Sequence, residues 1–176
     1  LREQGHTAHA VSVRGDVRLP PCDAVIHLAG EPIAQRWSSE AKTRIERSRI
    51  EGTRKVVAAM KDAGAKVLVC ASAIGIYGDR GDEWLTEDSP LPHGFVADVA
   101  RNWESEAAKF NGRVVSLRIG IVLGKGGGAL GKMLLPFKLG VGGRLGHGKQ
   151  WMSWIHIEDL CRMIVFALEN ESIIGP

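Results

Sequence analysis

The chain has 176 residues, 44% of them hydrophobic, and carries 23 Lys and Arg against 20 Asp and Glu for a net charge of +3. That length and apolar share suffice for one globular domain with a sizeable core. The charges are interspersed rather than blocked, which argues against a nucleic-acid partner, and no apolar run approaches the roughly 20 residues that span a bilayer.

No cleavable N-terminal signal is read, and Cys22, Cys70 and Cys161 stand far apart without a C-x-x-C pair. Cys70 and Cys161 lie in apolar sequence and are expected as small buried hydrophobes of a reducing compartment. The expectation is a soluble, cytoplasmic domain.

The opening LREQGHTAHAVSV reads as the last turn of a helix, a stop at Gly5 and a strand over 9–13, as if the chain began inside an element. A second strand is expected over 24–29 (AVIHLA). A helix follows over 38–64, with Ser38 or Ser39 as N-cap, apolar Ala41, Ile45, Val56 and Met60, and Gly64 as its stop. The next strand spans 66–73 (KVLVCASA). The helix over 96–110 puts Val96, Val99, Trp103, Ala107 and Phe110 on one face. A strand over 114–123 (VVSLRIGIVL) leads through glycines into the helical stretch ALGKMLLPFKLG. The last helix, 157–170, has Asp159 near its start and a stripe of Leu160, Ile164, Ala167 and Leu168. The end, ENESIIGP, stops after this helix without a terminal element.

The strands are continuous apolar runs, as parallel strands covered on both faces require. Their alternation with helices predicts an α/β domain with a parallel sheet. The loops 78–94 and 140–151 are long for connections, which favours a functional role.

Gly126-x-x-x-x-Gly131-Lys132 has the spacing of a phosphate-binding loop. Such a loop needs a Ser or Thr hydroxyl for Mg²⁺ and an acid at the end of another strand. Met133 stands where the hydroxyl belongs, and the other strands end in Ala29-Gly30 and Ala71-Ser72-Ala73. A nucleotide triphosphatase is excluded on those residues.

In open α/β sheets ligands bind at the carboxyl ends of the strands. There the chain carries VSVRGD, HLAG, ASAIGIYG and RIGIVLG. These resemble the extended short-chain dehydrogenase/reductase superfamily. The closer resemblance is to its atypical NAD-dependent epimerase/dehydratase-like branch, the epimerase family proteins. DAVIHLAGEPI, RWSSEAKTRIERSRIEGT, NWESEA and the long run from RIGIVLGKGGG to WIHIEDL carry it, over nearly the whole chain.

The resemblance implies a Rossmann-like doubly wound parallel sheet, truncated at both ends. The first strand and its Gly-x-x-Gly-x-x-Gly loop, roughly 20 residues, would precede residue 1. Residues 1–123 would be a partial NAD(P)-binding domain. Residues 124–176 would start the substrate-side region and add a sheet-flanking helix within the same structural domain.

For the cofactor, the resemblance implies that Leu28, Ala29 and Gly30 approach it through the backbone. Arg14 stands where an acid would hold the adenine ribose of NAD and suits a 2′-phosphate instead, hence NADP, with Ser12 sharing the contact. Asp16 keeps NAD open. Arg44 and Arg49 match positions that face the cofactor, while Lys42, Glu46 and Arg47 belong to the wet face of the same helix. Val122 would lie beside the cofactor.

Ser72 matches the serine that hydrogen-bonds a substrate carbonyl or hydroxyl and is the catalytic candidate. The superfamily's Tyr-x-x-x-Lys pair is absent: the one tyrosine is Tyr77, and four residues on stands Gly81. Phe95 or Val96 occupies the place of the base, which leaves the general base open, a water included. His27, His147, His156 and the acids of loop 78–94 lack metal-ligand spacing, and His27 is expected as a satisfied core histidine. Trp151 and Trp154 would wall a substrate cleft. The implied function is an NADP-binding oxidoreductase or epimerase acting on a small-molecule substrate; the alternative is a dinucleotide-binding sensor or scaffold without turnover.

Overall fold

A computed structural model describes residues 1–2, 5–144 and 146–176. The first strand, β1, is Ala24–His27, and helix α1, Ser39–Ala63, follows it. Strand β2, Val67–Ala73, runs into a 3-10 turn over Ile74–Tyr77, and helix α2 spans Phe95–Ala107. Then come β3 (Arg113–Ile119), β4 (Ile121–Leu123), α3 (Gly128–Lys138), β5 (Trp154–His156) and α4 (Ile157–Glu169).

Strands β1, β2 and β3 form a parallel sheet in that spatial order, with His27 beside Cys70 and Ser72 beside Arg118. Successive side chains of a strand point to opposite faces. Leu68 and Cys70 accordingly pack with Val56, Val57 and Met60 of α1 and with Trp103 and Ala107 of α2. Val69 joins Val115 and Leu117 against Leu160, Ile164 and Ala167 of α4. Helices on both faces explain why the strands read as unbroken apolar runs. Each fully buried side chain of the size of Met60 or Leu68 contributes about 2 kcal/mol.

Helix α1 starts and stops where its residues dictate. Ser38 Oγ accepts the backbone N–H of Ala41 at 3.3 Å, and Gly64 closes the helix in the left-handed region at φ 73°. At the other end of the sheet, Arg113 donates to the carbonyls of Ala167, Leu168, Asn170 and Ile173. It satisfies the bare carboxyl end of α4 with a positive charge.

Four expectations are corrected. Residues 9–13 form no strand: they lack a ladder partner among the described residues and lie mostly exposed. Val13, Val17 and Leu19 nevertheless pack on the core, and Lys55 ties Gly15 to α1 at 2.9 Å. Strand β1 ends at His27 rather than residue 29, because the next residues turn onto α1. The run 114–123 is two strands in two sheets, β4 pairing with β5 instead of β2.

Gly120 is the joint between them: a Cβ there would lie 2.6 Å from the Ser153 carbonyl oxygen, a contact only glycine permits. Among the described residues no helix or strand follows α4, as expected, though Gly175 makes an isolated parallel bridge to Val115 at the outer edge of β3. Cys161 is exposed, one position off the Leu160–Ile164–Ala167 stripe that faces the sheet. Cys70 is buried as expected, and burial pushes its thiol up to about 12.

Candidate functional site

The carboxyl ends of β1, β2 and β3 lie at one end of the sheet, where the strands give way to loops. His27 closes β1 from inside the core. It is buried, its Nε2 lies 3.0 Å from Thr53 Oγ1, and its ring meets Trp103 edge-on at 6.4 Å. Burial lowers its pKa to about 4, so the imidazole is neutral. It is the satisfied core histidine that the sequence suggests.

Beyond His27 the chain emerges at Leu28, 52% exposed, and turns through Ala29 and Gly30. Two residues of α1 fix the turn. Ser48 Oγ accepts the Glu31 N–H at 2.9 Å, and Arg49 donates to the Glu31 carbonyl at 3.0 Å and to that of Ile45 at 3.2 Å. The Arg49 guanidinium lies 5.0 Å over the Trp103 ring, and a Cβ on Gly30 would stand 3.1 Å from its central carbon. Arg49 therefore packs beneath the turn. Arg44 is more exposed and reaches the same loop through Gln35 at 3.3 Å and the Glu31 carboxylate at 3.6 Å. Both arginines hold the loop that Leu28, Ala29 and Gly30 begin.

At the end of β2 lies a polar centre that sequence reasoning found only in part. Ser72 is buried and donates its hydroxyl to Glu104 Oε1 at 2.5 Å. Arg118, the neighbour of Ser72 across the β2–β3 ladder, grips the same carboxylate with Nε and Nη2, each at 3.0 Å. Its Nη1 donates to Tyr77 Oη at 2.7 Å and to the Glu87 carbonyl at 3.0 Å. The bond to Glu104 holds the guanidinium more firmly protonated than usual. One arginine thus joins the strand, helix α2, the 3-10 turn and the long loop 78–94.

Glu104 escaped the sequence reading, although a signal was present. Ala100, Trp103 and Ala107 are buried on α2, and Glu104 falls within that stripe at the i+4 position from Ala100. An acid in an apolar stripe needs a partner. Phe95 and Val96 stand at the start of α2, and Lys42 lies 5.2 Å over the Phe95 ring. Tyr77 remains on its turn, held by Arg118.

Ser12 Oγ accepts the Arg14 N–H at 3.2 Å, a local turn that leaves the exposed Arg14 guanidinium without a partner among the described residues. Val122 pairs with Ile155 and packs partly buried against the α4 side of the core. A cavity of about 190 Å³ opens between Arg118, Gly120, Ser153, Trp154 and Met163. Trp151 and Trp154 are both exposed, and Trp151 Nε1 donates to Asp82 Oδ1 at 2.6 Å, which joins the two long loops. Gly124–Gly127 connects β4 to α3, whose side chains are mostly exposed, and Lys132 has no ion-pair partner among the described residues.

The arrangement has relatives. Residues 7–175 match the model of the NAD dependent epimerase/dehydratase family. The chloroplastic epimerase family protein SDR39U1 homolog of Arabidopsis thaliana is 47% identical over 158 residues, 86% of this chain and 46% of that protein. The crystal structure of human epimerase family protein SDR39U1 with NADPH superposes with a TM-score of 0.83 at 38% identity, over 90% of this chain and 56% of that one.

A nucleoside-diphosphate sugar epimerase of Corynebacterium glutamicum superposes at 0.74 with 34% identity, over 88% of this chain and 33% of that one. The chain spans about half the length of the curated relatives it matches. No helix among the described residues is long and apolar enough to cross a membrane. With a family model matched over nearly its whole length and a Rossmann-like parallel sheet to bear it, the chain belongs to the NAD dependent epimerase/dehydratase family.

Proposed function

We propose that the chain is part of an NADP-binding oxidoreductase or epimerase-like protein of the extended short-chain dehydrogenase type. Its substrate is a small molecule with a carbonyl or hydroxyl group. The observation that carries this reading is the joining of Ser72, Glu104, Arg118 and Tyr77 at the carboxyl end of the parallel sheet, the end where such sheets bind ligands.

The residues present fit the dinucleotide. Leu28, Ala29 and Gly30 offer bare backbone at the end of β1, on a loop that Arg44, Ser48 and Arg49 hold still. The exposed guanidinium of Arg14, on a turn where Ser12 Oγ accepts the Arg14 N–H, suits a 2′-phosphate and favours NADP over NAD, with Ser12 sharing the contact. Val122 pairs with Ile155, which lines the cavity beside Arg118. The human relative with NADPH supports the same choice.

When bound, the dinucleotide supplies or takes up a hydride. The protein's part is to hold the reacting carbon near Ser72, to exclude water with the loops joined by Trp151 and Asp82, and to place hydrogen-bonding groups. Residues up to 123 form the cofactor side and residues 124–176 the beginning of the substrate side. The C. glutamicum relative makes nucleotide sugars one substrate class to test. The cysteines present are free, in keeping with a reducing compartment such as the cytoplasm.

One observation favours a second reading, a dinucleotide-binding sensor or scaffold without turnover. Helix α2 carries neither tyrosine nor lysine, so no Tyr-x-x-x-Lys pair exists there. The two are separated by following absorbance at the nicotinamide band in the full-length protein across carbonyl compounds and sugar nucleotides. Turnover of any of them supports the enzyme. Tight NADPH binding with no turnover across a broad panel contradicts it.

A further inference from the structure

Ser72 has a single hydroxyl proton, and it goes to Glu104 Oε1 at 2.5 Å. A hydroxyl has one donor and two acceptor lone pairs, so a second partner meets only lone pairs. Glu104 is fixed as the acceptor by Arg118, which donates to both of its oxygens at 3.0 Å. The two side chains are only 11% and 16% exposed, so water competes little for either. A guanidinium has donors and no acceptor, and the polarity running from Arg118 and Ser72 into Glu104 cannot turn round.

We propose that Glu104 is a positioning residue that keeps the Ser72 proton away from the ligand, so that Ser72 recognises a hydrogen-bond donor. The substrate group meeting Ser72 is then a hydroxyl, and a carbonyl oxygen placed there meets lone pairs without a proton. This rests on Ser72 lining the substrate site and states which form of the substrate that site takes. Tyr77 has the opposite polarity. It accepts from Arg118 at 2.7 Å, and its own proton has no acceptor among the described residues. A carbonyl that reaches both residues finds its donor at Tyr77, not at Ser72.

The test uses the full-length protein with NADPH present and serine labelled with carbon-13 at Cβ. Cyclohexanol and cyclohexanone serve as probes of matched shape. In the wild type cyclohexanol moves the Ser72 signal and binds about tenfold more tightly than the ketone, the effect of one hydrogen bond gained against two facing lone pairs. Ser72→Ala removes the preference and Ser72→Thr, which keeps the hydroxyl, retains it. In Glu104→Leu the Ser72 proton loses its acceptor and becomes free for the ligand, and the preference is lost or inverted.

Ketone binding equal to or tighter than alcohol binding, with the Ser72 signal moving, overturns the polarity and leaves Ser72 in the site. An alcohol preference unchanged in Glu104→Leu overturns the role of Glu104. If neither probe moves the Ser72 signal, both this inference and the place of Ser72 in the site are overturned. The wild-type comparison decides the matter even where a variant fails to fold.

Discussion

His27 makes the stability of the fold depend on pH. Its ring is 3% exposed at the end of β1, and burial lowers its pKa from 6.5 to about 4. Between those values the unfolded chain takes up a proton that the native imidazole refuses. The stabilisation is therefore whole above about 6.5 and is lost as the pH falls toward about 4. At about 1.4 kcal/mol for each pH unit, the interval amounts to about 3 kcal/mol, a large part of the ~5–15 kcal/mol that holds a typical domain.

The carboxylates titrate as well, so the wild type has to be compared with His27→Gln, which keeps a polar group near Thr53 and cannot titrate. Urea unfolding between about pH 7.5 and about pH 4.5 gives the stability of each. The wild type loses about 2.5 kcal/mol more than the variant over that range. Superimposable pH dependence, or an imidazole signal that titrates near its ordinary value in the native protein, refutes the reasoning.

Removing one partner of the Glu104–Arg118 pair strands the other. Glu104→Ala is expected to cost about 3 kcal/mol, and Glu104→Leu combined with Arg118→Met less than either change alone. A double-mutant cycle by chemical denaturation checks this, and single changes costing under about 1 kcal/mol would mean the pair is solvated. Gly120→Ala drives a methyl against the Ser153 carbonyl and should cost about 2 kcal/mol by parting β4 from β5. Full stability in that variant would show that the joint relaxes freely. Arg14→Ala should weaken NADPH binding about tenfold and leave NADH unchanged; equal losses for both would remove Arg14 from 2′-phosphate recognition.

The helices were legible because their signals are local. Ser38 and Gly64 bound α1 within a residue of expectation, and the Leu160–Ile164–Ala167 stripe faces the sheet. Joints made by distant residues were hidden. Nothing within 114–123 announces that Gly120 meets Ser153, and an apolar run looks the same whether it serves one sheet or two. Residues 9–13 have strand composition, but composition does not supply a neighbour to pair with.

Cys161 shows the same limit in a helix, where apolar surroundings in sequence do not decide which way a side chain faces. At the site, Ser72 stood out at a strand end, whereas its partners come from three other places. Glu104 lies 32 residues from Ser72 and Arg118 a further 14 from Glu104, so nothing local in the sequence joins them. The parallel register that sets Ser72 beside Arg118 is what turns the two into one centre.

An NADP site at the carboxyl edge of this sheet is the proposal on which the others depend. The most direct measurement is a fluorescence titration of the full-length protein with NADPH and with NADH, in the wild type and in Gly30→Val. Gly30→Val sets a branched side chain against Arg49. Saturable NADPH binding is expected, tighter than that of NADH and weakened by Gly30→Val. Absence of binding by either dinucleotide, or binding indifferent to Gly30→Val, would contradict it.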